Sequence, residues 1–252
     1  MKKLIVIFLA ALTAAMCGCS QRNNTTSESS DGDIIVVSDT SVKPLGDDRI
    51  KREHSPEVSA PSGSVSIEQA CRLLDSCSME QFYLSESMSK YKKYYFNTVD
   101  FNGEKYYSFY PYLEINGKKI YVGTNVIADC TGNFVLAKNW MGGYETVNTS
   151  TAINDRDYTE RYPDAKISPN EALAVLTEKE KLLGLDSDIS EYIFETDETL
   201  SEINGVPCYR ITPKVEYLDH IELLSPYYVL ADKSSSVMVG VKGKQGEYKE
   251  LK

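Results

Sequence analysis

The sequence predicts an α+β fold made of two repeats, each a helix packed on an antiparallel meander sheet. A short stretch occurs twice: Asn102-Gly103 and Asn204-Gly205 each lie between apolar runs, 102 residues apart. Asn-Gly in that setting favours a type I′ hairpin turn, because both central residues of this turn need positive φ. Two helix-capping boxes, at residues 66–69 and 168–171, have the same spacing. The 18 tyrosines add a residue type that is common in strands.

The first repeat is predicted over residues 63–141. After the capping box, four apolar residues recur on one helical face, at positions i, i+3, i+4 and i+7. Strand-like runs follow at residues 94–101, 106–115, 119–129 and 134–137, separated by turns that contain glycine. We therefore expect a helix followed by a four-stranded antiparallel meander, with the helix covering one apolar face of the sheet.

The second repeat is predicted over residues 166–243, because further landmarks keep nearly the same spacing. An alanine and a leucine of the first helical face recur 102 residues later, as Ala172 and Leu176. Several landmarks in one register indicate internal repetition. The polar residues 142–165, rich in Gly, Thr and Asn, predict a connector between the repeats, and residues 244–252 are expected to form a tail.

Alternation along the second strand of each repeat divides its side chains between two faces. In the first repeat one face is apolar and is expected to meet the helix, whereas the other carries Tyr106, Tyr110 and Tyr112. The equivalent positions of the second repeat carry a cysteine, a threonine and a lysine. We interpret the three tyrosines as a candidate binding face for a peptide or a glycan. Two alternatives stay open: the face packs against the other repeat, or the segment 79–93 covers it.

The N-terminus has the organisation of a bacterial lipoprotein precursor. Two lysines precede an apolar run at residues 4–15, which is typical of a signal peptide and too short to span a bilayer. Gly18-Cys19 resembles the end of a lipobox, so residues 1–18 are expected to be removed and Cys19 to be acylated. A plain secretory signal is the alternative. Residues 19–62 are predicted to be a disordered tether, which would place the protein outside the cytoplasm, anchored by lipid to the cell membrane.

Charge and motifs exclude several functions. The net charge is −10, whereas nucleic-acid binding needs a basic face. We find no nucleophile elbow, zinc-protease motif or phosphate loop, so no catalytic residue, metal or cofactor is predicted. Asp129 and Asp232 occupy equivalent positions in the two repeats and are the candidates for an enzymatic alternative, although turns that precede strands explain both more simply.

Besides Cys19, four cysteines remain after the predicted signal peptide. Cys71 lies on the apolar face of its predicted helix, where a small buried side chain is the simplest role. No Cys-x-x-Cys redox motif is present. Cys71, Cys77, Cys130 and Cys208 are expected to be mostly free thiols, and one disulfide stays open because an extracytoplasmic compartment permits it.

Both repeats resemble a PepSY-type domain. The resemblance rests on a capped helix that carries Gln69-Ala70 or Glu171-Ala172 in its first turn, on the antiparallel strands, and on an Asp-x-Thr-Gly signature at residues 129–132. The second copy keeps Asp232 but lacks Thr-Gly. This likeness implies a tandem of cystatin-like helix-on-sheet domains that inhibit or modulate peptidases. It supplies no catalytic residue.

These observations favour a non-enzymatic lipoprotein of the cell envelope that binds a protein or peptide and regulates it, with a peptidase or a membrane sensor as the target. One alternative is a hydrolytic enzyme of the cell envelope. The other is a structural component of a surface or spore-envelope assembly.

Overall fold

The computed structural model describes residues 49–52, 63–147, 157–218 and 220–252. Within these residues, 13 strands are joined in one mixed sheet, and only three short α-helices are present. The main apolar core, to which both halves of the chain contribute, lies on the helix side of the sheet. The expected fold class, α+β with two repeats that each pack a helix on their own antiparallel meander, is therefore wrong.

The elements follow one another along the chain in this order. The helices are α1 (Ile67–Asp75), α2 (Tyr158–Arg161) and α3 (Pro169–Glu178). The strands of the first half are β1 (Lys92–Phe101), β2 (Glu104–Ile115), β3 (Lys118–Val122), β4 (Val126–Asp129), β5 (Val135–Lys138) and β6 (Tyr144–Val147). Those of the second half are β7 (Ile193–Thr196), β8 (Ser201–Ile203), β9 (Val206–Glu216), β10 (Ile221–Leu223), β11 (Tyr227–Leu230), β12 (Val237–Gly240) and β13 (Tyr248–Glu250).

Both predicted capping boxes are confirmed. The Ser66 hydroxyl accepts a hydrogen bond from the Gln69 N–H (3.2 Å), and the Gln69 side chain accepts one from the Ser66 N–H (2.7 Å). The same reciprocal pair joins Ser168 and Glu171, at 3.1 and 2.6 Å. These bonds satisfy backbone donors that a helix start leaves without partners, which is why α1 and α3 begin where they do.

The predicted Asn-Gly hairpin turns are confirmed as well. Asn102 and Gly103 have φ of 54° and 82° and connect β1 to β2. Asn204 and Gly205, at 52° and 79°, connect β8 to β9. Positive φ at both positions is the type I′ geometry whose twist matches that of the flanking strands.

One parallel pairing joins the two halves into a single sheet. Tyr121 of β3 pairs with Ile193 of β7, and Val122 pairs with Phe194. The Gly123 N–H then donates to the Phe194 carbonyl at 3.0 Å. An unpaired β3 edge would leave a row of backbone groups without partners, so β7 completes the hydrogen bonding of the first half. The sheet runs from β6 at one end to β13 at the other.

Two equivalent hydrogen bonds, whose residues lie 102 positions apart in the sequence, occur within this one sheet. The Tyr107 hydroxyl donates to the Val65 carbonyl at 2.8 Å, and the Tyr209 hydroxyl donates to the Ile167 carbonyl at 2.7 Å. Each bond ties a long strand, β2 or β9, to the chain that enters α1 or α3. The spacing thus marks recurring local contacts around a shared core rather than two independent units.

Two segments that were expected to be irregular contain regular structure. Residues 142–165, the predicted connector, include β6 and α2, and β6 pairs with β5. Residues 244–252, the predicted tail, include β13, which pairs with β12.

The features predicted at the N-terminus lie largely outside the described residues. This applies to the signal peptide 1–18, to Cys19, and to all of the predicted tether 19–62 except residues 49–52. None of the described helices is both long and apolar enough to cross a membrane.

Candidate functional site

The sheet has an outer face, by which we mean the side of β1, β2, β4 and β5 that points away from the helices. Alternation along β2 places Tyr106, Ser108, Tyr110 and Tyr112 on this face. Two apolar clusters form there, one on each side of Ser108. The first consists of Tyr94, Tyr110, Tyr121 and Ile193, with Phe96 and Tyr112 packed against it. The second consists of Tyr106, Ile127 and Leu136, with Val99, Phe101 and Tyr144 packed against it.

The three tyrosines of the candidate binding face therefore do not form one exposed surface. Tyr106 and Tyr110 are buried, with 6% and 2% of their area exposed, and Tyr112 is half-buried. They belong to different clusters, and of the three only Tyr110 lines a cavity on the outer face.

Part of the cover over Tyr110 comes from residues 49–52, which lie within the predicted tether. The Ile50 N–H donates to the Glu216 carbonyl at 3.0 Å, beside a bridge between Arg49 and Tyr217. This pairing with the end of β9 places the Arg52 guanidinium 4.6 Å from the centre of the Tyr110 ring. Further contacts come from the second half of the chain, since Ile193 of β7 belongs to the same cluster and Glu216 of β9 accepts a hydrogen bond from Tyr110.

Arg52 also belongs to what we call the buried charge cluster, which consists of Arg52, Lys138 and Glu216. The Glu216 carboxylate accepts hydrogen bonds from Lys138 Nζ (2.6 Å), from the Tyr110 hydroxyl (2.7 Å) and from Arg52 Nη2 (3.2 Å). The exposed fraction of the side chain is 1% for Glu216, 6% for Lys138 and 3% for Arg52. Three segments that are far apart in the sequence thus contribute two cations and one carboxylate to the same buried cluster.

Two polar atoms near this cluster lack a partner among the described residues. Arg52 donates from Nη1 to the Glu191 carbonyl at 3.0 Å, but its buried Nε–H has no acceptor. The buried Oδ1 of Asn97 accepts no hydrogen bond. Asn97 follows a β-bulge in β1, and bulges commonly re-aim a side chain toward a site. Such buried groups without a partner need an explanation, which a bound water, ion or ligand can supply.

A cavity of about 510 Å³ opens above Glu216 and Lys138, between the two apolar clusters. Leu218, with 75% of its area exposed, stands at its rim. Gly142 in the β5–β6 turn lines the cavity, and its neighbours Trp140 and Met141 are exposed. The lining consists of Arg49, Ile50, Lys51, Phe96, Asn97, Val99, Ser108, Tyr110, Asn125, Lys138, Gly142, Tyr144, Glu216 and Leu218.

The polar part of the cavity base is organised by Asn125. Its side-chain amide donates to the Ser108 hydroxyl at 2.9 Å and to the Phe109 carbonyl at 3.1 Å, and it accepts from the Tyr144 hydroxyl at 2.7 Å. Burial, and then the nearby charge of Glu216, raise the pKa of both Tyr110 and Tyr144. Their hydroxyls therefore remain protonated and act as hydrogen-bond donors at neutral pH.

The two acidic residues proposed for an enzymatic alternative have turn contacts. Asp129 Oδ1 accepts from the N–H groups of Asn133 (2.7 Å) and Phe134 (2.9 Å), and Asp232 accepts from the Ser234 N–H (2.9 Å). These contacts agree with turns that lead into β5 and β12.

The described residues show no group of His, Cys, Asp or Glu able to hold a metal ion. All four described cysteines are free thiols. Burial raises the pKa of the Cys77 and Cys208 thiols to about 11, so neither is a ready nucleophile at neutral pH.

Arg52, Lys138 and Glu216 were not identified from the sequence. Glu216 shares its side of β9 with the cysteine, threonine and lysine that match the tyrosines of β2, and this alternation is the only sequence signal for it. Lys138 ends a short strand, and Arg52 lies in a run of mixed charges that indicates a solvated linker. Nothing in their spacing connects the three.

Comparison of the chain with protein-family models, with curated proteins and with solved structures gave no match. The likeness to PepSY-type domains therefore stays a prediction from the sequence.

Proposed function

We propose that this chain is a non-enzymatic binding protein of the bacterial cell envelope, and that its outer-face cavity receives a peptide or a segment of a protein. The observation that carries the proposal is this cavity of about 510 Å³, which has an apolar rim and a polar base. Ligand sites in proteins commonly have volumes of about 300–1,000 Å³ and combine apolar walls with a few convergent polar groups.

The composition of the cavity suits a peptide. Leu218 and Val99 offer apolar contact at the walls, while Asn97, Ser108 and Lys138 offer hydrogen-bonding groups deeper in. A peptide can match both kinds of contact, because apolar side chains alternate along it with backbone amides that form hydrogen bonds. Exposed Trp140 and Met141 extend the apolar surface beyond the rim, and aromatic and Met side chains are enriched at protein interfaces.

The polar groups of the cavity suit binding better than catalysis. Both oxygens of Glu216 already accept hydrogen bonds, three in all, so this carboxylate is engaged rather than poised as a general base. The Tyr110 and Tyr144 hydroxyls are held as donors by their partners, Glu216 and Asn125. Preorganised donors and acceptors of this kind orient a ligand.

The cell-envelope assignment rests on the signal peptide and the tether that the sequence predicts. A lipid on Cys19 would hold the protein at the membrane surface. The bound segment would then belong to another envelope protein, such as a peptidase or a membrane sensor. Labelling of the expressed chain with radioactive palmitate tests the anchor. Label is expected on the wild-type chain and not on Cys19→Ser, and equal labelling of the two would contradict it.

A soluble pool of random acetylated hexapeptides tests peptide binding by the mature chain. The fraction retained at equilibrium is measured by mass spectrometry for wild type, for Leu218→Ser and for Leu223→Ser. Leu223 is the matched control, because it is an exposed leucine near the same β9–β10 turn that does not line the cavity. Loss of one apolar contact at the rim is expected to weaken retention about tenfold in Leu218→Ser only. Absence of retention by wild type, or equal loss in both variants, would contradict the proposal.

A further inference from the structure

The buried charge cluster is not electrically balanced. Arg52 and Lys138 bring two positive charges and Glu216 one negative charge, and all three side chains are more than nine-tenths buried. Removing an ion from water costs several kcal/mol unless an opposite charge compensates it. The cluster therefore carries one positive charge without a counter-charge of its own.

The other charged residues along the cavity do not supply the missing negative charge. Arg49 and Lys51 are both cations. Arg49 makes a bidentate ion pair with the exposed carboxylate of Asp186, at 2.8 and 3.3 Å. The positive charge of Arg49 is therefore neutralised by Asp186. Among the described lining residues, Glu216 is the single carboxylate.

Resting on the proposed function, we propose that the cavity recognises the carboxylate of its peptide ligand, and that Lys138 is the cation that meets it. The Lys138 ammonium has three N–H donors, and the bond to Glu216 uses one of them. Its side chain lines the cavity, so a carboxylate that enters meets a charged donor there. A charge-assisted hydrogen bond of this kind is about twice as strong as a neutral one.

Asn97 indicates where the backbone next to that carboxylate lies. Asn97 lines the same cavity, and its buried Oδ1 accepts no hydrogen bond from the described residues. An acceptor without a partner fits a ligand N–H donor. A carboxylate together with a neighbouring N–H is what the C-terminus of a peptide presents, and the apolar walls then receive its last side chains. An acidic side chain within a peptide offers the same carboxylate.

Three pools of acetylated hexapeptides, all lacking Asp and Glu at the random positions, test this inference with the mature chain. The first pool ends in a free carboxylate, the second ends in an amide, and the third ends in an amide but carries one Asp. Retention of the first pool is expected to exceed that of the second at least tenfold. Higher retention of the third pool than of the second also supports a carboxylate site, with an acidic side chain as the source.

Substitutions at Lys138 locate the effect. Lys138→Met leaves Glu216 paired with Arg52 and is expected to lower retention of the carboxylate pool about tenfold without changing retention of the amide pool. Lys138→Arg, which keeps the charge, should retain most of the preference. Lys119→Met is the matched control, since Lys119 is an exposed lysine beside Tyr94 and Tyr112 that does not line this cavity.

The outcomes separate this inference from the proposed function. Equal retention of the acid and amide pools would overturn the carboxylate site while leaving peptide binding in place. An acid preference that survives in Lys138→Met, with the variant folded by circular dichroism, would also overturn it. Retention of no pool at all by wild type would overturn the proposed function itself.

Discussion

The Arg52 guanidinium and the Glu216 carboxylate lie 3.2 Å apart, although 164 residues separate them in the chain. Their contact attaches the segment 49–52 to the end of β9, and Tyr94 reinforces it by donating its hydroxyl to the Arg52 carbonyl at 2.6 Å. The guanidinium also lies 4.6 and 5.1 Å from the ring centres of Tyr110 and Tyr121, where cation–π attraction adds to the ion pair. The outer face of the first half is thus completed by residues from elsewhere in the chain.

Glu216→Gln tests how strongly the buried charge cluster depends on its single carboxylate. The amide keeps the shape of the side chain but leaves Arg52 and Lys138 as two buried cations without a carboxylate. We expect the free energy of unfolding to fall by roughly 3–5 kcal/mol, the range for breaking a buried ion pair from one side. Denaturant unfolding followed by circular dichroism measures this change.

The control for this prediction is Glu114→Gln, which removes the same charge from an exposed ion pair with Lys92. Solvent screens that pair, so the unfolding midpoint should not change measurably. Equal midpoint shifts in the two variants would contradict the assignment of Glu216 as the centre of the cluster.

Arg52→Lys tests whether the planar guanidinium, and not only its charge, holds the segment 49–52. A lysine keeps the charge but cannot reach both Glu216 and the Glu191 carbonyl while it stacks on Tyr110. We expect the free energy of unfolding to fall by about 1–3 kcal/mol. Arg49→Lys, at an exposed contact with Asp186, should have a much smaller effect. Identical denaturation curves for wild type and Arg52→Lys would contradict the prediction.

The features that were predicted correctly from sequence are those that a few consecutive residues encode. Asn102-Gly103 specifies its turn because of the φ that those two residues accept, and residues 66–69 specify a helix start because two side chains bond to the nearby backbone. The pairing of β3 with β7 has no such local code. It depends on which strand edges meet after both halves have formed, and for this reason the expectation of two separate repeats was wrong.

The candidate site shows the same limit. Alternation correctly placed Tyr106, Tyr110 and Tyr112 on one side of β2, since that property belongs to a single strand. It could not indicate what covers them. Lys138 is 78 residues from Glu216, and Arg52 is 164 residues from it. Neither separation matches the 102-residue recurrence or any other pattern in the sequence.

Gly123→Ala tests the bend between β3 and β4, where the two halves join. Gly123 has a φ of 69°, and an added Cβ would lie 2.4 Å from the Phe82 carbonyl oxygen and 2.7 Å from Leu84 Cδ2. We expect a loss of unfolding free energy on the order of 3 kcal/mol or more, from backbone strain and steric overlap together. Lys214 donates to the Gly123 carbonyl at 2.7 Å, so the bend also anchors β9.

Gly103→Ala is the control for steric overlap at Gly123. Its φ of 82° gives similar backbone strain, but no atom lies within 4 Å of the added Cβ. A loss of about 1–2 kcal/mol is expected there. If the two variants unfolded at the same denaturant concentration, close packing at the β3–β4 bend would play no part.

High pH is expected to destabilise the fold through its buried tyrosines. Burial raises the pKa of Tyr121, Tyr162 and Tyr227 to about 12, whereas a tyrosine in an unfolded chain ionises near 10. Below about pH 10 the phenols are neutral in both states, so their contribution to stability is fully present. Between about pH 10 and about pH 12 the unfolded chain loses these protons first, and the free energy of unfolding falls.

Each such tyrosine contributes up to about 1.4 kcal/mol per pH unit to this fall. Tyr162→Phe is expected to make the decline less steep, because the new side chain has no phenolic proton to lose, although the variant also forfeits the hydrogen bond from the Tyr162 hydroxyl to the Asp197 carbonyl. Denaturant midpoints recorded from about pH 9 to about pH 12, together with the ultraviolet absorbance of tyrosinate, test both expectations. If tyrosinate absorbance near pH 10 were smaller in folded Tyr162→Phe than in folded wild type by one phenol, Tyr162 would ionise there and its buried position would be contradicted.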